Sequence, residues 1–355
     1  MSSLLRKIVH PLYKSLETDV HPLRYLFIEI TQKCNLHCRH CGSDCTKDAR
    51  LPELTTKQWT DFFEKLAGDF SPGNLVLVIT GGEPFCAPAF PALLAKIRSL
   101  GLRWGMVTNG YALTPGNIRE ILRHGISSIT VSVDGLEISH DWLRGRKGSF
   151  ARAETGLRRL TAAGIPFLDV VTCVHPGNLR ELDEIKALLV SLGVKYWRLF
   201  SIFPKGRAAA NRELLLGEEN TRKMLDWIAR QRRTTPRDRI AINFSCEGYL
   251  PKDVDEKVRD EPYFCRAGIN IGSVLCDGSI SACPNISRSL VQGNILTDDF
   301  KKVWEEKFKP FRNRDWMRKG ACETCAEWKR CRGNSMHLWD DDRQQTAFCY
   351  HALYT

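Results

Sequence analysis

Between Tyr25 and Arg232 the chain alternates a short apolar run with a longer stretch of helical periodicity, six times over, and this rhythm restricts the fold more than any other feature. The runs Tyr25–Ile30, Leu75–Ile79, Trp104–Thr108, Ser128–Val133, Phe167–Val174 and Tyr196–Phe200 are too short for helices and rich in β-branched and aromatic residues, so they read as buried strands. Helical periodicity occupies Thr55–Leu66, Phe90–Leu100, Asn117–His124, Phe150–Ala163, Leu179–Leu192 and Asn220–Arg232. In the first of these, Trp59, Phe62, Phe63 and Leu66 share one face behind a Thr N-cap. Such alternation predicts an α/β fold of parallel strands covered by helices. A closed eight-unit barrel needs about 250 residues, so the stretch from 25 to about 205 predicts a partial barrel of six β/α units. At 355 residues, 43% of them hydrophobic, the chain has material for a sizeable core and a second, smaller domain.

The loop after the first strand reads Cys34-Asn-Leu-His-Cys38-Arg-His-Cys41, three thiols within eight positions. A structural zinc site closes with four ligands, and so does an ordinary four-thiolate [4Fe–4S] centre. Three closely spaced thiols therefore fit a cluster with one iron left for an external chelator. Cys45 is an alternative fourth ligand, and His37 and His40 are weaker ones. Ligands bind at the C-terminal ends of parallel strands, where Thr80-Gly81-Gly82-Glu83-Pro84, Val107-Thr108-Asn109-Gly110 and Val131-Ser132-Val133-Asp134-Gly135 also fall. Taken singly, each is ordinary turn chemistry.

The C-x3-C-x2-C spacing together with Gly81-Gly82-Glu83-Pro84 resembles the radical S-adenosylmethionine (SAM) superfamily. The resemblance implies a partial (β/α)6 barrel with a [4Fe–4S] cluster on Cys34, Cys38 and Cys41, and SAM bound through its amine and carboxylate at the open iron. The Gly81–Pro84 segment would hold the methionine amino group, with Glu83 as acceptor and the glycines admitting the backbone close to the ligand. Asn109 and Ser132 would line the SAM pocket, Asp134 would support the ribose side or the loop, and His40 would pack near adenine. Arg144 is either a partner for the SAM carboxylate or a surface ion pair. Cys86 and Cys173 lie in or beside apolar runs and read as small buried hydrophobes.

Past Thr234 cysteines become dense and long helices give way to turns, which predicts a second domain organised by metal rather than by a large apolar core. Cys265, Gly278 and Cys283, then Cys322-x2-Cys325-x5-Cys331 and Cys349, resemble the SPASM domain of radical SAM enzymes. The expected division is an extension at 1–24, a barrel at 25–233 and a cysteine-rich iron–sulfur domain at 234–355. Carried over, Cys322, Cys325, Cys331 and Cys349 hold one auxiliary [4Fe–4S] cluster. A second has only Cys265 and Cys283, because Ser335 stands where the family more often has cysteine, with Cys246 or Cys276 as substitutes. One or two auxiliary clusters are thus expected, and a zinc ribbon on the last four cysteines is the non-iron alternative.

Fourteen cysteines without an apolar leader segment, and no run of eighteen apolar residues, predict a cytoplasmic protein with metal-bound thiols, not disulfides, and no membrane span. The formal charge of +11 falls to roughly +6 once cluster thiolates are counted. It predicts a solvated basic surface or an anionic partner, and no long basic and aromatic run suggests nucleic acid. The resemblance implies reductive SAM cleavage to a 5′-deoxyadenosyl radical that removes hydrogen from a peptide or protein side chain, with flavodoxin or ferredoxin as electron donor. The alternative substrate is a small molecule in dehydrogenation or cofactor assembly; a non-catalytic metal-binding protein is the remote reading. Pro284 after Cys283 replaces the acidic residue of sulfatase-maturing relatives. Some 24 residues before the first strand leave no room for a leader-binding domain, so leader recognition is expected to use another surface or a separate protein.

Overall fold

The structure, a computed structural model, describes residues 3–245 and 247–355. Strands β1 (Tyr25–Glu29), β2 (Val76–Thr80), β3 (Arg103–Thr108), β4 (Ser128–Ser132), β5 (Phe167–Val174) and β6 (Tyr196–Ser201) pair in sequence order, all parallel. The helices of this half are α1 (Ser3–Val20), α2 (Thr56–Asp69), α3 (Phe90–Ser99), α4 (Pro115–Arg123), α5 (Glu137–Arg144), α6 (Ser149–Ala162), α7 (Leu182–Ser191), the single turn α8 (Arg207–Ala210) and α9 (Gly217–Thr234). On α2 the four expected residues, Trp59, Phe62, Phe63 and Leu66, are the buried ones, and Thr55 and Gln58 form a reciprocal capping box. The six expected strands are present, and with them the expected open barrel.

The sheet is larger than six strands. Strand β7 (Ala241–Phe244) adds parallel to β6, and β8 (Ile271–Val274) adds parallel to β1, from Tyr25 opposite Ile271 to Ile28 opposite Val274. An antiparallel extension, β9 (Ser279–Ser281) and β10 (Gly293–Asn294), completes the order β10-β9-β8-β1-β2-β3-β4-β5-β6-β7. The four strands past residue 234 that join this sheet are two to four residues long and escape a periodicity test, but they continue the barrel sheet at both edges, while Trp339–Asp340 and Gln345–Thr346 pair apart as a small antiparallel ribbon. The expectation of a C-terminal segment without much apolar core is corrected accordingly. Trp304, Phe308, Phe311, Met317, Trp339 and Tyr350 are buried in the same cluster as the barrel's Leu26, Trp104 and Trp197. Each fully buried side chain of this size contributes about 1.5–3 kcal/mol or more, so the region does not depend on metal alone.

Candidate active site

The cysteine loop is laced to four neighbours at the C-terminal ends of the strands. Cys34 N–H donates to the Thr46 carbonyl at 2.7 Å. The last carbonyls of α5, which lack partners within the helix, accept from the loop instead: Arg144 O from His37 N–H at 3.3 Å and Leu143 O from Arg39 N–H at 2.8 Å. Gly145 ends α5 at φ +66, and a Cβ there would lie 2.4 Å from His37 O, so conformation and contact both demand glycine. From the end of β6, Arg207 donates to Cys38 O at 2.7 Å and to Cys45 O and Asp44 at 2.8 Å. Asn211 donates to Arg39 O at 2.9 Å. Helix α5 and the Arg207–Asn211 clamp were not apparent from sequence; the signal available was Gly206-Arg207 in the loop that follows the sixth strand, at the same mouth of the barrel.

Gly81 and Gly82 pack against protein backbone. A Cβ at either would lie 2.3 Å from the carbonyl oxygen of Thr31 or Lys33, and Gly82 N–H and Glu83 N–H donate to those same oxygens at 2.7 and 2.9 Å. The close approach expected towards a ligand is therefore made to the cysteine loop. Glu83 is fully buried after Gly82 and before Pro84, and its carboxylate accepts from Thr108 Oγ1 and Asn109 N–H, both at 2.8 Å. Burial pushes its pKa up to about 7 against those donors. Asn109 also reaches the loop, donating to Asn35 at 2.8 Å and to Cys34 Sγ at 3.7 Å. Ser132 is buried at the end of β4.

Arg144 is neither exposed nor on a surface ion pair. Its guanidinium lies 2.5 Å from Asp134 and donates to Cys38 Sγ at 3.7 Å, both partners being buried. Burial would raise the Asp134 pKa, but the Arg144 charge holds it below its ordinary value. Asp134 further accepts from Cys173 N–H at 2.8 Å, and its own carbonyl accepts from Asn178 at 2.7 Å, so it organises the ends of β4 and β5. His40 Nε2 lies 3.7 Å from Asp134, and burial lowers its pKa to about 3, so the ring is neutral. His40, Asp134 and Cys173 bring ligand atoms within 4.8 Å of one another. Cys173 packs against the apolar cluster of Leu143, Ile202, Ala208 and Leu214, in keeping with its reading as a small hydrophobe, and also borders this polar group, where the guanidinium on Asp134 supplies the positive charge a cation would otherwise bring.

The three thiols differ electrostatically. Burial pushes Cys34 up to about 12 and raises Cys38 against the Arg144 charge. Cys41 is lowered by a hydrogen bond from the Cys45 thiol, with Arg207 assisting, and Cys45 is raised in turn. Donors aimed at Cys34, Cys38 and Cys41 from Asn109, Arg144 and Cys45 are what thiolates bound to iron accept, and the donor set fits a three-cysteine cluster.

In the C-terminal half, Cys322, Cys325, Cys331 and Cys349 line one cavity of about 160 Å³ with Trp328 and Asn334, and Asn334 N–H donates to Cys331 Sγ at 3.2 Å. Cys265 lies elsewhere, beside Arg314. Cys276 N–H faces Glu29 of β1 at 3.4 Å, and Cys246 lies outside the described residues. No helix among the described residues is long and apolar enough to cross a membrane.

Comparison with known proteins agrees with this geometry. The radical SAM superfamily matches residues 28–189, and an iron–sulfur cluster-binding (SPASM) domain matches 265–331. An AdoMet-dependent heme synthase of Methanosarcina barkeri is 27% identical over 92% of this chain and 96% of its own. A PqqA peptide cyclase of Rhizobium meliloti is 27% identical over 92% and 87%. The crystal structure of Streptococcus suis SuiB bound to S-adenosylmethionine superposes with a TM-score of 0.70 at 14% identity, covering 99% of this chain and 83% of that one. The chain belongs to the radical SAM superfamily and carries a C-terminal SPASM domain. It is an enzyme of that class, with [4Fe–4S] clusters and SAM as its cofactors.

Proposed function

We propose that this enzyme oxidatively modifies a peptide or protein side chain, with Cys34, Cys38 and Cys41 holding the cluster that meets SAM. The observation carrying the site assignment is the convergence of Asn109, Arg144 and Cys45 on those three sulfurs. A cluster and SAM bound there would supply a 5′-deoxyadenosyl radical able to remove hydrogen from an unactivated C–H bond. The chain's own residues do the rest. Arg144 and Asp134 fix the Cys38 side of the loop, Glu83 ties the Gly81–Pro84 turn to the end of β3, and Arg207 and Asn211 hold the loop backbone. Positioning of this kind is the protein's share of the rate. Asn109, Ser132 and His40, at the mouth of the barrel, are the residues we assign to the SAM pocket, and the buried carboxylates of Glu83 and Asp134 would fix the strand ends and the loop behind it.

Peptide substrates are supported by the PqqA peptide cyclases, matched here over 85–92% of the chain. A second reading, a small molecule in cofactor assembly, is supported by the heme synthase and by the Fe-coproporphyrin III synthase, the latter matched over 88% of the chain. One experiment separates them. Under anaerobic reduction, 5′-deoxyadenosine formation is measured with short peptides encoded beside the gene and, in parallel, with Fe-coproporphyrin III. Stimulation by a peptide together with a mass change in it supports the first reading; stimulation by the tetrapyrrole alone replaces it with the second.

A further inference from the structure

We infer that Arg146 and Arg152, gathered on the ring of Tyr111 beside the cysteine loop, bind a carboxylate of the substrate. This rests on the reading of that loop as the place of reaction, and it holds for either substrate reading. The turn from α5 to α6 reads Gly145-Arg146-Lys147-Gly148, and both glycines have positive φ, +66 and +79. From this turn the Arg146 guanidinium lies 4.0 Å from the centre of the Tyr111 ring and donates to the Asn35 carbonyl, next to Cys34. Arg152, in the first turn of α6, reaches the same ring at 5.6 Å. Tyr111 is itself held: its N–H donates to Asn109 Oδ1 at 2.9 Å, and the Asn109 amide donates to Asn35 Oδ1 at 2.8 Å and to Cys34 Sγ at 3.7 Å. The two cations therefore stand against the Cys34 side of the triad, while Arg144 and Asp134 hold the Cys38 side.

Two guanidinium groups on one ring repel each other, and the ring face offsets that only weakly at an exposed site. Among the described residues no carboxylate pairs with either, because the acids nearest in sequence are engaged. Asp141 accepts from Ser149 Oγ at 2.8 Å and from Phe150 N–H at 2.7 Å, and Glu154 pairs with Arg158 at 2.8 Å. Other guanidinium groups at this mouth are matched, Arg144 by Asp134 and Arg207 by Asp44. An unmatched pair of planar forks fits a carboxylate, which accepts two parallel N–H bonds from one fork and keeps lone pairs for the other. Arg146 and Arg152 are both exposed, so a ligand reaches them without a change of fold. An acidic residue of a peptide and an aliphatic acid group of a small molecule offer this same chemistry.

The test is anaerobic titration of four probes into the reconstituted full-length enzyme with SAM present: Fe-coproporphyrin III, its tetramethyl ester, a blocked tetraglutamate peptide and its tetraglutamine counterpart. At least one acid is expected to bind about tenfold more tightly than its neutral counterpart, and to lose that margin in the double variant Arg146→Gln/Arg152→Gln. The acid that shows the margin identifies the source. Arg146 also holds the cysteine loop through Asn35. Arg152→Gln is therefore measured alone as well, since its guanidinium makes no hydrogen bond among the described contacts; it should reduce the margin about threefold with iron content unchanged. The inference is overturned by no margin for either acid, or by a margin that survives both variants. A loss of SAM affinity in Arg152→Gln would put the carboxylate of SAM on these arginines and overturns it too. None of these results touches the proposed function, which is decided by 5′-deoxyadenosine formation.

Discussion

Replacing Arg144 with Met is the sharpest probe of the barrel's mouth. The guanidinium is 2.5 Å from a carboxylate with no exposed surface, so its removal strands the Asp134 charge with the Cys173 N–H at 2.8 Å and a neutral His40 ring at 3.7 Å. Breaking a buried pair from one side costs about 3–5 kcal/mol, whereas replacing both partners by uncharged groups costs far less. Arg144→Met should therefore lower stability by about 3–5 kcal/mol, and adding Asp134→Asn should return part of that loss. The coupling in the double-mutant cycle is expected above about 1.5 kcal/mol. The measurement is anaerobic urea unfolding of the holoenzyme followed by tryptophan fluorescence, comparing midpoints and slopes because a chain of this size need not unfold in one step. If Arg144→Met costs under about 1 kcal/mol, or if Asp134→Asn adds its own cost in full, the pair is not the buried, mutually dependent contact described.

Gly82→Ala would drive a Cβ to 2.3 Å from Lys33 O; it should cost several-fold in cluster incorporation at the triad, read as iron content, while Gly73→Ala, with open space around it, should not. Changing Cys34, Cys38 and Cys41 together to Ala should remove about four irons and abolish 5′-deoxyadenosine formation, and product from that variant would refute the assignment. Glu247 carries a pH signature. Burial pushes its pKa from 4.5 to about 7 against hydrogen bonds from Ser201 and Tyr350, so the folded chain binds the extra proton across that window. Stability is present below pH 4.5 and lost as pH rises through 7, by up to about 3 kcal/mol. Glu247→Gln should flatten the urea midpoint between pH 5 and 7.5 relative to wild type, and an unchanged slope counts against it.

What sequence disclosed and what it hid divide along physical lines. Trp59, Phe62, Phe63 and Leu66 were legible because a helical period repeated over a full face leaves a pattern that packing then obeys. The cysteine spacing was legible because covalent ligation to a compact core tolerates few loop lengths. The strands Ala241–Phe244 and Ile271–Val274 were not, since four residues are below the length at which alternation and continuous burial can be told apart. Arg144 shows the third case. Its environment is made by α5, β4 and the cysteine loop arriving together from three places in the chain, and no local window contains Asp134, Cys38 and Arg144 in contact.

Strand β1 is where the two halves become one object. Its C-terminal end leads into Thr31 and the cysteine loop, its one edge pairs with β2 and the Gly81–Pro84 turn, and its other edge pairs residue for residue with β8. The tip of the hairpin leaving β8 returns to the same strand, where Cys276 meets Glu29 and holds Leu54 N–H. Parallel pairing over four residues cannot slip by one residue without turning every side chain to the opposite face, so the register of β8 on β1 sets the position of the hairpin bearing Cys276 and Cys283 relative to the triad. A hinge between barrel and C-terminal region at this edge would have to break that ladder. The segment after β6 meets the triad loop from another side, where Arg207 and Asn211 clamp it through a single-turn helix that follows Gly206 at φ +55.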